Sequence, residues 1–429
     1  MNISQTEAKI SNGGYDRVFE TLYGAEAVGA QRTRYLKAAK EFQKLYPNRL
    51  DVEIFSAPGR SEIGGNHTDH QHGCVLAAAV DLDVIAIVSF REDGVIRLKS
   101  EGHDADTVEL ADLEVKKDEY GTSGAIIRGI AAKFAEMGIK AGGFDAYTTS
   151  NVLSGSGLSS SAAFETLVGT ILDAHYNGGK AGAIEIAKIG QYAENVYFGK
   201  KSGLMDQMVS SVGGFVFIDF ADTDKPIIKK VGYDFEKAGC CLCITDTKGS
   251  HADLIDDYSA VPTEMNAVAA YFGKPYLRAV SESEFIGAIP ELRKRMSDRA
   301  VLRAAHFFND NQNAADEAAA LEKGDFEEFL RIVKSSGDSS YKLLQNIYSS
   351  RKPEEQGLSV GLWASERVLN GRGAVRVHGG GFAGTIQAFV PVDIVGEYLA
   401  EMDRIFGDGS CLTLKVRPVG GIRLNDIQP

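Results

Sequence analysis

The sequence predicts an α/β or α+β protein with two lobes. Segments with helical spacing of apolar residues and short apolar, β-branched segments are mixed along the whole chain. The composition changes after about residue 225, where a mostly helical stretch begins. The length of 429 residues is enough for two to three domains with large cores.

The first half of the chain mixes both kinds of element. The predicted helices are Ala25–Leu45, Ala125–Met137, Leu158–Tyr176 and Ala183–Tyr197. The predicted strand segments are Asp51–Phe55, Val75–Phe90, Val95–Ser100, Phe144–Thr149 and Phe215–Phe220. We expect Asp81 and Asp83 to break the second of these into separate strands, with Val95–Ser100 as their hairpin partner.

The second half begins with a predicted strand at Cys240–Thr245. Residues 264–369 are predicted to be mostly helical, and two further strands are followed by a helix and a last strand. These last elements are Ala374–Val377, Thr385–Val390, Asp393–Phe406 and Cys411–Val416.

Composition limits the classes of function. The net charge of −13 argues against binding to nucleic acids or to anionic membranes. No apolar run reaches the length of a membrane span, and the polar segment Met1–Gly13 lacks the core of a signal peptide. The five cysteines do not suggest a disulfide framework, and the group at Cys240–Cys243 is interpreted as core packing rather than a metal site. A reducing cytoplasm is the expected location.

A glycine- and serine-rich loop at residues 154–163 runs directly into a predicted helix. Glycines allow close backbone approach to a ligand, and a helix N-terminus offers free N–H groups to an anion such as a phosphate. A capped turn explains the same residues equally well at this stage. A Walker-type loop is excluded because Leu158 stands where that loop needs lysine.

A second polar cluster extends from Gly59 to Gly73. Its carboxylate, amide and imidazole groups match the hydroxyl pairs of a polyol. The ligand types His67, Asp69, His70 and His72 leave a metal site open, and a plain polar turn is the third alternative.

Two acids and a second glycine-rich segment complete the candidates. Asp206 lies in an apolar setting and is a candidate base or a helix-capping residue. Glu194 lies on the preceding predicted helix with few nearby cations, and taken alone it is more typical of a solvated helix residue. Glycines at 379–381 stand between two predicted strands, which indicates close backbone approach or tight turns.

Together and in this order, these clusters resemble the GHMP small-molecule kinases and, among them, the galactokinase family. The resemblance extends from about Tyr15 to about Val416. The matching motifs are Ala57–Arg60 with Gly65–Asp69, Gly155–Ala163, Met205–Gln207, Arg376–Gly384 and the segment Asp246–Tyr258. It implies an N-terminal lobe of the ribosomal-protein-S5-domain-2 type over residues 1–235 and a ferredoxin-like C-terminal lobe over residues 236–429.

The resemblance also implies a role for each motif in an ATP-dependent sugar 1-kinase. The ATP phosphates would be cradled by Gly155, Ser156, Gly157, Leu158, Ser159, Ser160 and Ser161. Ser160 and Glu194 would hold Mg²⁺, Asp206 would face the attacking hydroxyl as the catalytic base, and Arg60 would keep it ionised. The sugar would be lined by Asn66, His67, Asp69, Asp206 and Tyr258, while the glycines at 379–381 would support the phosphate loop. The family implies a monomer.

Asn66 is the main departure from the family pattern, because the family usually has glutamate there. That glutamate is expected to contact the 6-hydroxyl of the sugar, and asparagine can still hydrogen-bond there. Galactose is therefore the expected substrate, with galacturonate or another galactose-like sugar as the alternative. A sugar- and ATP-sensing regulator without catalysis is a further alternative, which Arg60, Glu194 and Asp206 argue against.

Overall fold

Two β-sheets and their covering helices organise the protein. The structure is a computed structural model that describes residues 1–152, 157–250 and 254–427. Its helices are α1 (Ile3–Ser11), α2 (Asp16–Tyr23), α3 (Val28–Leu45), α4 (Ser123–Glu136), α5 (Ser160–Leu172), α6 (Gly182–Tyr192), α7 (Met205–Val212), α8 (Ile255–Tyr271), α9 (Glu282–Arg295), α10 (Asp298–Lys323), α11 (Phe326–Ser339), α12 (Gly357–Leu369) and α13 (Val395–Phe406). Its strands are β1 (Glu53–Gly64), β2 (Cys74–Arg91), β3 (Val95–Ser100), β4 (Ala105–Glu109), β5 (Gly143–Ser150), β6 (Phe215–Asp219), β7 (Ile227–Val231), β8 (Cys240–Asp246), β9 (Ala374–Val377), β10 (Thr385–Pro391), β11 (Cys411–Leu414) and β12 (Ile422–Arg423).

The large sheet has eight strands in the order β12-β1-β2-β5-β3-β4, with β6 and β7 joined to β2. The prediction that Asp81 and Asp83 break the second strand is wrong, because β2 runs through both residues. Its first half pairs with β6 and its second half pairs with β5. Asp83 is tolerated inside the sheet because Arg34 and Arg417 form ion pairs with its carboxylate.

The expected hairpin between β2 and β3 is also wrong. β5 lies between them, pairing antiparallel with β2 and parallel with β3. The hairpin partner of β3 is β4. The local sequence pattern could not show this, because the strand that separates β2 from β3 comes about 50 residues later in the chain.

Alternate residues of the large sheet contact two different helical layers. Ile85 and Ile87 belong to a buried cluster with α1–α3, whereas Val84 and Ala86 belong to the main core with α4 and α5. This follows from the strand geometry, in which successive side chains point to opposite faces.

The small sheet is antiparallel and four-stranded, in the order β11-β8-β10-β9. One face joins α11 in the main core, and the other packs against α12 and α13. Numbered within this sheet, the order is 4-1-3-2, with α8–α12 between the first two strands and α13 between the last two. This is the ferredoxin-like arrangement, and the predicted two-lobed mixture of helices and sheets is confirmed.

The chain passes from the large sheet to the small sheet between β7 and β8, close to residue 235. The chain then returns to the large sheet near its end, where β12 pairs with β1. The division of the chain into lobes at residue 235 stays a prediction. It does not account for β12, which follows residue 235 in the chain but pairs with the large sheet.

Candidate active site

The candidate site lies where β1, the start of α5 and the start of α7 meet. Arg60 on β1 donates from Nε to Oδ1 of Asp206 at 2.8 Å, and its Nη2 lies 2.7 Å from the same oxygen. Asp206 is the second residue of α7, and its side chain is 32 % exposed, so the carboxylate is held but reachable. A carboxylate at this end of a helix is stabilised by the positive end of the helix dipole.

The described part of the phosphate loop is tied to the same pair of residues. The backbone N–H of Arg60 donates to the carbonyl of Leu158 at 3.0 Å, and the Arg60 guanidinium donates to the carbonyl of Gly157. Gly155 and Ser156 lie outside the described residues. Gly157 and Leu158 therefore lie directly against Arg60.

The three serines of the loop have different surroundings. The Ser159 hydroxyl donates to Oδ2 of Asp206, which the sequence did not predict. Ser160 is the first residue of α5 and half-buried, and Ser161 is exposed. The Ser159 side chain does not cap α5, and the N–H groups in the first turn of a helix suit an anion.

His378 lies behind the loop, in the second lobe. Its ring accepts or donates at both nitrogens, to Ser61 Oγ at 3.1 Å and to Thr385 Oγ1 at 2.9 Å. A Cβ on Gly157 would lie 3.1 Å from this ring, and Gly157 has a φ of +73°, so both space and backbone conformation favour glycine there. Burial, with Arg60 and Arg376 nearby, lowers the pKa of His378 to about 3, and the ring stays neutral.

We expect His378→Thr to make the protein less sensitive to acid. In the folded state the pKa of His378 is lower than the unfolded value of 6.5, so the unfolded chain binds more protons below pH 6.5. The contribution of this group to stability is lost as pH falls from 6.5 towards 3, at about 1.4 kcal/mol per pH unit. Urea denaturation of wild type and variant between pH 4.5 and 7 measures the difference, and the exposed His103→Thr is the control. Equal acid sensitivity of all three proteins contradicts this prediction.

Asn66, one of the residues expected to line the sugar, is fully buried. Its amide donates to Glu62 Oε1 at 2.9 Å and to the carbonyl of Gly379 at 2.7 Å. Its side-chain oxygen accepts from Asn346 Nδ2 at 2.8 Å. A direct sugar contact by Asn66 requires these bonds to open, so in this structure the residue joins the polar loop to the second lobe.

The glycine turn at 379–381 contacts the predicted sugar residues. The carbonyl of Gly380 lies 2.9 Å from His67 Nε2, and the carbonyl of Gly381 accepts from the Tyr258 hydroxyl at 2.8 Å. A Cβ on Gly381 would lie only 2.1 Å from the carbonyl oxygen of Asn346, so this position requires glycine. Among the described residues the turn therefore supports the polar loop, and the neighbouring His378 supports the phosphate loop.

His67 and Asp69 differ in their availability to a ligand. Burial lowers the pKa of His67 to about 4, so its ring is neutral and donates to Gly380. The Asp69 side chain is 22 % exposed, and its Oδ1 lies 3.9 Å from Nε2 of His70. Oδ2 of Asp69 lies 3.2 Å from where a Cβ on Gly203 would be, three residues before Asp206. Asp69 thus offers carboxylate oxygens beside the loop that leads to Asp206.

Glu194 is 3 % exposed and lies in the π-helical turn Ala193–Phe198 that follows α6. Its Oε1 pairs with Lys200 Nζ at 3.0 Å, while Oε2 accepts from Ser202 and from Gln207 Nε2 at 2.9 Å. The Ser160 hydroxyl and the Glu194 carboxylate are hard oxygen donors of the kind Mg²⁺ prefers. Oε1 already lies beside the Lys200 ammonium, so the donor types of the two predicted metal residues suit a cation.

Glu165 and Gln207 are polar residues beside Glu194 whose role in the site the sequence did not identify. Glu165 is 1 % exposed on α5, and burial, reinforced by Glu194, raises its pKa to about 8. The available signal was a single charged residue within the otherwise uncharged stretch Ala162–Leu172. Such an acid is easily taken for a solvated helix residue.

Two further features of the described ranges concern sites elsewhere. In residues 1–152, 157–250 and 254–427, no three His, Cys, Asp or Glu side chains group as a metal site. No helix in these ranges is both long and apolar enough to cross a bilayer.

Known sequences resemble this chain in the same regions. Residues 40–90 match the galactokinase galactose-binding signature, and residues 125–214 match the N-terminal domain of the GHMP kinases. The galactokinase of Streptomyces coelicolor is 31 % identical over 362 residues, which cover 83 % of this chain and 88 % of that protein.

Solved structures resemble the fold. The galactokinase of Lactococcus lactis, solved in complex with galactose, aligns with a TM-score of 0.74 at 22 % identity, covering 90 % of this chain and 98 % of that chain. The mevalonate kinase of Methanococcus jannaschii aligns with a TM-score of 0.62 at 17 % identity, covering 85 % of this chain and 98 % of that one. At these identities the likeness concerns the fold alone.

Proposed function

Because the chain belongs to the galactokinase family of the GHMP kinases, we propose that it transfers the γ-phosphoryl group of ATP to the C1 hydroxyl of galactose. The products are galactose 1-phosphate and ADP. The observation that carries this proposal is the Asp206 carboxylate, held by Arg60 and Ser159 beside the loop that begins α5. The carboxylate is 32 % exposed and hydrogen-bonded to a serine of the loop that we assign to the phosphates.

Asp206 acts as the base and accepts the proton of the attacking C1 hydroxyl. Phosphoryl transfer depends more on alignment and charge neutralisation than on covalent chemistry, so a fixed carboxylate with a fixed cation suits it. Arg60 orients Asp206 through Nε and Nη2 and adds positive charge beside the loop. The backbone of Gly155, Ser156, Gly157, Leu158, Ser159, Ser160 and Ser161 is assigned to the phosphates of ATP.

Magnesium, when bound with ATP, supplies charge neutralisation at the phosphates. Ser160 and Glu194 are the residues assigned to hold it, because their oxygen donors fit the ion. The partner of Glu194 Oε1 is the ammonium of Lys200, whose side chain is 62 % exposed. This ammonium can move into solvent and make the oxygen available to the ion.

Galactose is the proposed sugar. The signature matched by residues 40–90 and the relative from S. coelicolor both support it. Asp69 and Asp206 have reachable carboxylates for sugar hydroxyls. His67, from the loop after β1, and Tyr258, from α8, both contact the glycine turn. Asn66 reaches the sugar only by exchanging its present partners.

The five cysteines are free, as expected of a cytoplasmic enzyme. We propose that the protein acts as a monomer.

A coupled ADP-release assay tests the proposed function. We expect turnover with galactose to exceed turnover with N-acetylgalactosamine, galacturonate, glucose and arabinose. The control is the same assay without sugar, which measures ATP hydrolysis alone. Preference for another sugar contradicts the substrate assignment, and binding of galactose and ATP without turnover contradicts the assignment as an enzyme.

A further inference from the structure

One buried amide joins two buried carboxyl groups behind the candidate site. Gln207, at 1 % exposure, donates from Nε2 to Glu165 Oε2 at 2.9 Å and to Glu194 Oε2 at 2.9 Å. Both acids are almost fully buried as well. Both N–H groups of the amide therefore donate to carboxyl oxygens inside the protein.

The three residues come from the elements that form the candidate site. Glu165 lies on α5, five residues after Ser160, and Gln207 lies on α7 directly after Asp206. Glu194 lies in the π-helical turn after α6, and such turns are frequent at functional sites. The Gln207 amide consequently links the phosphate loop helix, the proposed metal ligand and the helix of the proposed base.

Packing keeps this link rigid. A Cβ on Gly190 would lie 3.2 Å from Glu165 Cβ and Oε2 and 3.3 Å from Gln207 Cγ, so α6 closes over the contact. A buried carboxyl group costs free energy unless hydrogen bonds or an opposite charge compensate for its lost hydration. Among the described residues, Glu165 Oε1 and Gln207 Oε1 have no hydrogen-bond partner, which adds to that cost. Apolar side chains would pack there at lower free energy.

The two oxygens of Glu194 have different surroundings. Interior donors, Ser202 and Gln207, hold Oε2. The exposed side chain of Lys200 is the partner of Oε1. Oε2 of Glu194 is thus held by donors within the protein. The partner of Oε1 is an exposed side chain that another cation can replace.

We propose that Gln207 is a positioning residue that holds Glu194 for the metal–nucleotide complex, and that Glu165 anchors Gln207. This inference rests on the proposed function in one respect, the assignment of Glu194 to the metal. Groups that orient a metal ligand commonly change metal affinity by about 10- to 100-fold when they are removed. Neither Gln207 nor Glu165 needs to touch substrate for this role.

Binding of ADP with and without Mg²⁺, measured by calorimetry, tests the inference independently of turnover. We expect Gln207→Met to weaken Mg²⁺-dependent ADP binding by about tenfold or more. Binding of ADP in EDTA should stay unchanged. Glu165→Met should act in the same direction. Glu165→Gln, which keeps an oxygen acceptor for the Gln207 amide, should restore most of the affinity.

Gln312→Met is the matched control, because it removes an amide–carboxylate contact to Asp316 on the exposed surface of α10. Circular dichroism and thermal unfolding of each variant establish that it is folded. The inference is overturned if Gln207→Met binds Mg²⁺ and ADP like wild type, or if its affinity falls equally with and without Mg²⁺. It is also overturned if wild type itself shows no Mg²⁺-dependent binding. A wild type that binds ADP with Mg²⁺ but does not phosphorylate galactose contradicts the proposed function alone.

Discussion

Asp206→Asn is expected to lower kcat with galactose by roughly 10²- to 10⁴-fold, the range typical for the loss of a general base. Asparagine has nearly the same shape as aspartate, but its amide cannot take the proton of the sugar hydroxyl. The Arg60 guanidinium also loses its charged partner, although an asparagine oxygen can still accept from Nε and the contact to the Gly157 carbonyl is kept. ADP binding should change little, because Asp206 is assigned to the sugar hydroxyl and the substitution leaves the backbone of the phosphate loop unchanged.

Steady-state kinetics with galactose and calorimetry with ADP check both parts of this prediction. Ser159→Ala is the informative companion, because it removes one hydroxyl donor to Asp206 and leaves the carboxylate in place. We expect it to lower kcat far less than Asp206→Asn does. Near-normal turnover in Asp206→Asn removes Asp206 from the role of base.

The chemistry of the site was predictable where its motifs carry a family resemblance. That resemblance implied that Arg60 lies near Asp206, and the structure pairs them at 2.7 Å although 146 residues separate them. Most predicted helices and strands also lie near their expected bounds, because hydrophobic spacing is a local property of the chain.

Contacts between distant segments were not predictable in this way. The position of β5 between β2 and β3 depends on pairing with a strand about 50 residues further along. The burial of Asn66 likewise depends on Gly379 and Asn346, about 280 to 310 residues away in sequence. A motif gives the residue types of a loop, but the packing of the second lobe decides which of them face solvent.

The surroundings of Asp83 also depend on distant segments. The sequence suggested a strand break there, whereas the structure has a buried ion pair. The carboxylate is fully buried, and it lies 2.6 Å from Arg34 Nη1 and 2.9 Å from Arg417 Nη1. Tyr23 donates to it at 2.5 Å, and the Ser56 hydroxyl donates as well. Burial alone raises the pKa of Asp83, but the two guanidinium groups outweigh it and keep the pKa below its ordinary value.

Asp83→Asn is expected to destabilise the protein by about 3–5 kcal/mol, because it leaves two guanidinium groups facing each other without a negative charge. Asp81→Asn is a matched control two residues earlier on the same strand. Burial raises the pKa of Asp81 to about 6, and its Oδ1 accepts from the Lys415 backbone, which an amide oxygen can replace. We expect this control to change stability by about 1 kcal/mol or less, as for a substitution that strands no buried charge.

Urea denaturation at pH 7 measures both free energies of unfolding. Because β2 pairs with β1, β5 and β6, loss of the Asp83 ion pair should weaken the whole large sheet and lower the transition midpoint in one step. Similar effects of the two substitutions would mean that Arg34 and Arg417 find other partners, and that the ion pair does not stabilise this sheet. A large effect at Asp83 alone would show that a charge that looks like a strand breaker in the sequence holds the centre of the strand together.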